Sequence, residues 1–224
     1  MAPSALPDRV AALAALDDPV RRAVFDLVAR ARTAVGRDAA AAALGVSRRV
    51  AAAHLDRLAE QGLLVVEYRR PPGRSGPGAG RPAKLYRRAD EEVVVSVPER
   101  HYDVVGGLLA GAVTESIDTG APVQEVLHRR AYDAGTAIGA AADDLPDALA
   151  RAGYEPRQRE RGDGPLVLAN CPFHRIAQQF TALVCGVNLQ FLRGVADGAG
   201  DTAYRVELDP GPGRCCVRLW PAAR

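Results

Sequence analysis

The chain has 224 residues, of which 48% are hydrophobic, so it is long enough for one large or two small packed domains. Its net charge of +2 is unevenly distributed: residues 1–90 carry 16 Arg or Lys against 9 Asp or Glu, whereas residues 91–224 carry 13 against 18. The glycine-rich uncharged run of residues 104–114 is too short to span a bilayer, and charged residues at Asp8 and Arg9 interrupt any secretory signal. We therefore expect a cytoplasmic protein without a membrane partner, whose basic first part binds a polyanion.

The first 35 residues predict two helices separated by a short acidic turn. Asp18 is a suitable N-cap for the second helix, and Pro19 suits its first helical position. Apolar residues recur at helical spacing after it, at Val20, Val24, Leu27 and Val28. This segment is expected to form part of a hydrophobic core.

Residues 36–64 predict two short helices joined by a turn at Gly45, with Ser47 as the N-cap of the second helix. At about 100° per residue, one side of that helix is expected to pack, and it consists of Val50, Ala51, His54, Leu55 and Leu58. The opposite side contains Arg49, Ala52, Ala53 and Asp56, flanked by Arg48 and Arg57. Small alanines let the backbone approach a DNA groove, and arginines contact bases or phosphates. The candidate DNA contacts here are Ser47, Arg48, Arg49, Ala52 and Arg57; the alternative is an amphipathic helix with a solvated charged face.

A basic hairpin is predicted to follow this helix-turn-helix. Residues 63–68 and 83–87 predict two paired strands, and the connection between them is rich in proline, glycine and arginine. Its candidate DNA contacts are Arg69, Arg70, Arg74, Arg81 and Lys84, with Arg81 suited to a narrow minor groove. The alternative is a loop with solvated charges. Helix, turn, helix and basic wing in this order predict binding to a double-stranded DNA operator.

The middle of the chain predicts a strand or linker over residues 91–97, a helix from Pro98 to about Ile117, and a second helix from Pro122 to about Ala142. Small residues recur along both helices, at Gly107, Gly111, Ala131, Ala134, Gly135 and Gly139. We expect these surfaces to form a homodimer interface, with intramolecular packing as the alternative. The predicted domains are residues 1–92, residues 93–142 for linker and dimerisation, and residues 143–224.

The last part predicts a small α+β domain with an antiparallel sheet. It contains a short helix ending near Gly153, strands over 154–161 and 165–170, a helical region from Pro172 to about Val195, and strands over 203–208 and 214–220. The expected fold of the whole chain is therefore α+β, with a winged helix-turn-helix domain, dimerisation helices and this carboxyl-terminal domain.

All four cysteines lie in this last part, which indicates metal or redox chemistry in a reducing cytosol. Cys171 and Cys185 would be about 20 Å apart in one straight helix, so a shared site requires a break in the helix near Thr181. Adjacent residues on a strand point to opposite faces, and Cys215 lies on the expected core face. The candidate ligands are therefore Cys171, Cys185 and Cys215 rather than Cys216, with the fourth position open or filled by His174, water, a small ligand or another subunit.

Several segments resemble a known family. The segment LDDPVRRAVFDLVAR is similar to the one that precedes the helix-turn-helix in ArsR-type winged-helix repressors. Residues 170–174 (NCPFH), 183–188 (LVCGVN) and 215–219 (CCVRL) resemble the cysteine elements of the SufR-like branch of that family. The resemblance implies a repressor in which an iron–sulfur cluster, expected as 4Fe–4S, is held by Cys171, Cys185 and Cys215 and tunes DNA binding.

Other chemistries fit the same cysteines. Three cysteines with His174 would suit structural zinc, and buried cysteines also act as small hydrophobic residues. Thiol oxidation or an organic ligand bound in the carboxyl-terminal domain would make other kinds of sensor. A thiol enzyme with Cys171 as nucleophile and His174 as base has the least support, because it leaves the basic helix-turn-helix without a role. We do not expect an enzyme.

Overall fold

The computed structural model describes residues 6–69, 82–157, 164–211 and 214–222. The chain divides into two compact units, Met1–Val95 and Ser96–Arg224. Both combine helices with a small antiparallel sheet, so the expected α+β class is confirmed. The helices expected between two domains belong to the core of the second unit. No helix in the described ranges is long and apolar enough to cross a membrane.

The helices of the first unit are α1 (Leu6–Ala15), α2 (Pro19–Arg30), α3 (Arg37–Leu44) and α4 (Arg48–Glu60). Their predicted ends are confirmed. The Asp18 carboxylate accepts a 2.8 Å hydrogen bond from the Arg21 amide and caps α2. Gly45 ends α3 with a φ of 65°, in the left-handed region that favours glycine. The Ser47 hydroxyl then accepts a 3.2 Å bond from the Val50 amide and caps α4.

The sheet of the first unit contains β1 (Val35–Gly36), β2 (Leu64–Arg69) and β3 (Ala83–Arg88), in the antiparallel order β1-β3-β2. The predicted strand pair is confirmed, with Val66 opposite Tyr86. Most of the expected connecting loop, residues 70–81, lies outside the described residues. Of the strand or linker expected over residues 91–97, the structure has the linker: the segment joins no sheet, Val93 lies against the core, and the Val94 carbonyl accepts a bond from the Arg9 guanidinium.

The core of the first unit lies between α2, α4 and the sheet. Its fully buried side chains include Val24, Leu55 and Leu58. The prediction that Val50 packs with them is wrong, since 39% of its surface is exposed. The buried stripe of α4 follows Ala51, Leu55 and Leu58 at a spacing of four and three, and Val50 lies about 100° away from Ala51 around the helix.

The second unit begins with residues 96–101, which form neither helix nor strand before the first helix. Its elements are α5 (Tyr102–Thr119), α6 (Val123–Ala140), α7 (Leu145–Arg151), β4 (Pro156–Arg157), β5 (Leu166–Leu168), α8 (His174–Gln179), α9 (Thr181–Gly198), β6 (Tyr204–Leu208) and β7 (Val217–Pro221). The sheet has the antiparallel order β4-β5-β7-β6. The prediction that Pro98 begins α5 is wrong, because the backbone amide of His101 bonds to the Pro172 carbonyl instead of entering a helix. Strand β4 begins at Pro156, two residues later than expected, and residues 158–163 lie outside the described residues.

Helices α6 and α9 pack with their backbones almost in contact. A Cβ atom added to Gly135 would lie 2.0 Å from the Phe191 carbonyl oxygen, and one added to Gly194 would lie 2.0 Å from the Tyr132 carbonyl oxygen. The small residues of α6 therefore serve intramolecular packing, which was the alternative to the predicted dimer surface. On α5, by contrast, Gly107 is exposed with open space where a side chain would be.

Candidate functional site

The exposed face of α4 carries the arginines that the sequence predicts as DNA contacts. The Arg48 Nε atom lies 2.6 Å from an Asp38 carboxylate oxygen, and Arg57 Nη1 lies 3.3 Å from Glu60. Arg49 is exposed and forms no ion pair with any described residue. The Ser47 hydroxyl already accepts the capping bond, and Ala52 is half-buried. Of the three arginines, Arg49 is therefore the one whose guanidinium has no described carboxylate competing with a DNA base for it.

Lys84 has a different environment from the expected one. Its ammonium group and the Tyr86 hydroxyl both donate to Oδ1 of Asp56, the tyrosine at 2.6 Å. The carboxylate thus joins α4 to β3. Lys84 is consequently an ion-paired residue at the base of the hairpin, and a DNA phosphate would have to compete with Asp56 for its ammonium group. Sequence reasoning placed Asp56 on the solvated face because its partners lie 28 and 30 residues away.

These contacts shift the pKa values of all three groups. Burial alone would raise the pKa of Asp56, but the hydrogen bonds from Lys84 and Tyr86 outweigh it and lower the value. The bond to Asp56 raises the pKa of Lys84. Burial, together with the bond to Asp56, raises the pKa of Tyr86 to about 12. All three groups therefore keep their ordinary protonation states across neutral pH.

Two arginines in the described part of the hairpin also form ion pairs with nearby carboxylates. Arg69 lies 3.4 Å from Glu67, and Arg87 contacts both Glu67 and Asp90 at 3.0 and 3.1 Å. The remaining predicted contacts of the loop, Arg70, Arg74 and Arg81, lie outside the described residues. Arg69 is exposed, so its ion pair is a weak competitor for a phosphate.

The four cysteines come from three segments of the second unit. Cys171 lies in the turn between β5 and α8, Cys185 lies on α9, and Cys215 and Cys216 precede β7. The predicted break of the helical region is confirmed, because α8 ends and α9 begins around Phe180. Thr181 does not cap the second helix as expected, since its hydroxyl donates to the Ala177 carbonyl. Pro172 is also not the first helical residue, because α8 begins at His174.

All four cysteines are free. The Cys171 thiol interacts with that of Cys215, Cys215 with Cys216, and Cys216 with Cys185, and these interactions shift their pKa values. The expected alternation extends back through the adjacent pair, because Cys215 is buried like Val217 and Leu219, whereas Cys216 is half-buried. We call these four side chains the thiol cluster.

The thiols of the cluster differ in acidity. The hydrogen bond from Cys215, together with the backbone amide of Phe173, lowers the pKa of Cys171 despite its burial. The bond to Cys171 in turn raises the pKa of Cys215 to about 12. Burial raises the pKa of Cys185 to about 12, and the bond to Cys215 raises the pKa of Cys216. Cys171 is therefore the most acidic thiol of the four, as a turn with free backbone amides predicts.

A buried polar pair lies against the thiol cluster. The Asn188 side chain is fully buried on α9, and its Nδ2 atom lies 3.2 Å from Cys215 Sγ and 3.8 Å from Cys216 Sγ. The Tyr154 hydroxyl donates to the Asn188 Oδ1 atom, which leaves the amide nitrogen facing the sulfurs. Sequence reasoning missed both residues, although a polar residue three positions after Cys185 on an otherwise apolar helix is a detectable signal.

The turn that carries Cys171 is held from two sides. Asn170 donates to the Gly153 carbonyl at 2.7 Å and accepts from the Glu155 amide at 2.6 Å. On the other side, Arg100 Nη1 donates to the Cys171 carbonyl, and the His101 amide donates to the Pro172 carbonyl, both at 3.2 Å. The start of the second unit is therefore hydrogen-bonded to the backbone of the cysteine turn.

Among the described residues, no hydrogen bond joins the His174 side chain to the thiol cluster. Its imidazole is exposed, and its backbone amide donates to the Cys171 carbonyl. In the part of the chain that the structure describes, no group of three or more His, Cys, Asp or Glu side chains could hold a metal ion.

No model of a known protein family matches the chain, and comparisons with curated proteins and with solved structures find no match.

Proposed function

We propose that the chain is a DNA-binding transcriptional regulator, acting as a repressor, with a winged helix-turn-helix in its first unit. The observation that carries the proposal is the exposed arginine face of α4, capped by Ser47 and preceded by the left-handed turn at Gly45. An α-helix fits the major groove, and Arg49 has no competing carboxylate among the described residues. The resemblance of the sequence to ArsR-type regulators supports the same function.

The test of DNA binding is selection of duplexes from a random library by the purified protein. The selected sequence is then titrated at several salt concentrations. A regulator of this kind binds its selected site at least about a thousandfold more tightly than random DNA, with an affinity that falls steeply with salt. Equal binding to selected and random duplexes would contradict the proposal.

We further propose that an iron–sulfur cluster on Cys171, Cys185 and Cys215 controls DNA affinity. The donor set supports this cofactor, because iron–sulfur clusters are held by thiolates and tuned by hydrogen bonds to sulfur, and Asn188 supplies such a donor. A cluster core is several atoms across, so its thiolates need not meet at one point. When bound, the cluster supplies a redox state and sensitivity to oxidants.

The residues of the chain also suggest how this site acts on the first unit. Arg100 and His101 bond to the backbone of the cysteine turn, and they follow directly on the residues that join the two units. A change in the turn on cluster gain or loss would alter these two bonds first. The proposed coupling element is therefore residues 96–101, which precede the two helices.

The cofactor is tested by purification without oxygen, followed by visible absorption and by iron, sulfide and zinc analysis. Broad absorption near about 400 nm, with iron and sulfide in equal amounts, is expected for a 4Fe–4S protein. A colourless protein with one zinc per chain would instead indicate a structural site. A protein with neither metal would contradict the proposed cofactor while leaving the DNA-binding proposal intact.

Direct thiol oxidation is a second candidate, because the Cys171–Cys215 and Cys185–Cys216 contacts pair all four thiols. Hydrogen peroxide would take two protons and two electrons from each pair, forming one disulfide and two waters. Peptide mass mapping of metal-free protein after peroxide treatment would detect these two linkages. A change in DNA affinity that accompanies them without iron would favour this candidate over the cluster.

We propose a homodimer as well, now through α5. Its exposed side presents Gly106, Ala110, Val113 and Ile117 at helical spacing, and 77% of the Ile117 surface is exposed. Light scattering at micromolar concentration tests this, with Ile117→Glu expected to shift the mass toward the monomer. The matched control is Val123→Glu, at the start of α6. A wild-type monomer would contradict the dimer.

A further inference from the structure

A groove lies between α4 and the hairpin strands of the first unit, and we call it the α4–hairpin groove. It encloses about 250 Å³, and its lining includes Arg37 at the start of α3, Ala52 and Asp56 on α4, Tyr68 on β2, and Lys84 and Tyr86 on β3. Drug-sized ligands occupy pockets of roughly 300–1,000 Å³. This groove therefore suits a smaller group, such as a single phosphate.

Strand pairing explains why an exposed tyrosine borders the α4–hairpin groove. Tyr68 lies opposite Lys84 in the ladder, and Val66 lies opposite Tyr86. Because side chains alternate along a strand, these four share one face of the hairpin. Tyr86 is buried in the core at one end of that face, whereas 64% of the Tyr68 surface is exposed at the other end. The groove thus begins where the core ends.

The charged side chains of the α4–hairpin groove leave one positive charge without a counterion. Asp56 is ion-paired with Lys84 and also accepts a bond from the Tyr86 hydroxyl, so the lysine and the carboxylate offset each other. The Arg37 side chain is exposed, and no ion pair joins it to another described residue. Within the described ranges, the Tyr68 hydroxyl also has no hydrogen-bond partner. A phosphodiester carries a single negative charge, which this groove complements.

The α4–hairpin groove adjoins the side of α4 that carries Arg49. Ala52 and Asp56 follow Arg49 on the same side of the helix, about one and two turns further along. At about 1.5 Å per residue, Arg49 and Asp56 are about 10 Å apart along the helix axis. The major groove of DNA is about 12 Å wide. DNA bound through Arg49 would therefore bring a phosphate of its backbone to the α4–hairpin groove.

We propose that the α4–hairpin groove binds one phosphate of the DNA backbone, with the Arg37 guanidinium supplying the charge and the Tyr68 hydroxyl donating a hydrogen bond. This inference rests on the proposed DNA-binding function. Phosphate contacts fix the register of a protein on the duplex, whereas base contacts read the sequence. Arg37 and Tyr68 are thus positioning residues for Arg49, and neither one is among the contacts that the sequence predicts.

The first test measures how salt affects binding to the selected duplex and to a random duplex. Loss of one phosphate contact reduces the slope of log K against log salt by about 0.9, so Arg37→Ala should bind both duplexes about tenfold more weakly at about 0.1 M salt. Tyr68→Phe should weaken both about threefold without changing the slope. Arg30→Ala removes an exposed charge at the end of α2 and, as the control, should keep the wild-type slope. An unchanged slope in Arg37→Ala would overturn the inference.

The second test locates the phosphate. Selected duplexes in which one phosphodiester at a time is replaced by an uncharged methylphosphonate are titrated with wild type and with Arg37→Ala. At one backbone position of each bound site, the replacement should weaken wild-type binding about tenfold and leave the variant unaffected, because the variant has already lost that contact. Equal sensitivity of the two proteins at every position would overturn the inference. Wild-type protein without specific DNA binding would instead remove the proposed function, and the inference with it.

Discussion

The amide nitrogen of Asn188 lies 3.2 Å from the sulfur of Cys215, in the interior of the second unit. The amide is oriented by the Tyr154 hydroxyl, which bonds to its oxygen. Both side chains are buried, so either one left without its partner would carry an unsatisfied polar group. This pair connects the stability of the unit to the state of its thiols.

Asn188→Leu should therefore lower the free energy of unfolding by about 1–3 kcal/mol for each buried group left unpaired. Tyr154→Phe should cost a similar amount but leave the amide facing the sulfurs. Urea unfolding of both single variants and the double variant measures their coupling. Because the two share one hydrogen bond, the double variant should lose less than the sum. Strict additivity would contradict the network.

Gly194→Ala tests the close contact of α6 and α9. The added Cβ would lie 2.0 Å from the Tyr132 carbonyl oxygen, and backbone cannot move aside as a side chain can. We expect a loss of about 1–3 kcal/mol or more of unfolding free energy. Gly107→Ala is the matched control, since its Cβ meets open space on an exposed helix face and should stabilise by about 0.5–1 kcal/mol. Equal effects of the two substitutions in urea unfolding would contradict the packing.

Asp56→Asn should change the acid stability of the first unit. The pKa of Asp56 is below its ordinary value in the folded state, so its stabilising contribution is present above that ordinary value and is lost as pH falls through the folded pKa. The difference in unfolding free energy between wild type and variant should thus be constant near neutral pH and shrink below about pH 4. Urea unfolding at several pH values measures it.

Asp26→Asn is the control for this substitution, because Asp26 is exposed on α2. It should leave the unfolding free energy of the unit unchanged within about 0.5 kcal/mol at neutral pH. If the unfolding free energies of Asp56→Asn and wild type instead change in parallel as the pH is lowered into the acid range, the bonds from Lys84 and Tyr86 do not lower the pKa of the Asp56 carboxylate.

Arg49→Ala should weaken binding to a selected operator by about 1–3 kcal/mol and relax the preference at one base position. The reason is that Arg49 is exposed on α4 and forms no ion pair with the residues that the structure describes. Fluorescence anisotropy at fixed salt measures the change. Arg30→Ala removes the same charge from the exposed end of α2 and should have a much smaller effect. Equal losses in the two variants would indicate that the protein binds DNA through net charge rather than through this helix.

Arg100→Gln should uncouple the cysteine turn from DNA binding. The variant loses a charged donor to the Cys171 carbonyl, a bond of about 1.5–3 kcal/mol. We expect the DNA affinities of loaded and metal-free protein to become similar, while hydrogen exchange at the His101 amide becomes about tenfold faster. Arg129→Gln, which removes an exposed ion pair with Glu115, should leave both properties unchanged. If the DNA affinities of loaded and metal-free Arg100→Gln still differ as in wild type, the connection between the cysteine turn and DNA binding does not pass through Arg100.

Local signals determined much of the first unit. Asp18, Ser47 and Gly45 each act within a few residues of their own position, so the ends of three helices followed from the sequence. The paired strands β2 and β3 followed for the same reason, from short apolar runs on either side of a glycine-rich connection. In the second unit, helix geometry made a break near Thr181 the condition for a shared cysteine site, and the structure has the break at Phe180.

Distant contacts were decided only by the tertiary structure. The sequence shows small residues on α6 but not whether a second copy or α9 covers them, because either partner satisfies the same pattern. It shows Lys84 and Asp56 as charges, and only the approach of β3 to α4 makes them partners. Contacts between segments far apart in the chain depend on how whole elements pack, whereas caps and turns depend on neighbouring residues.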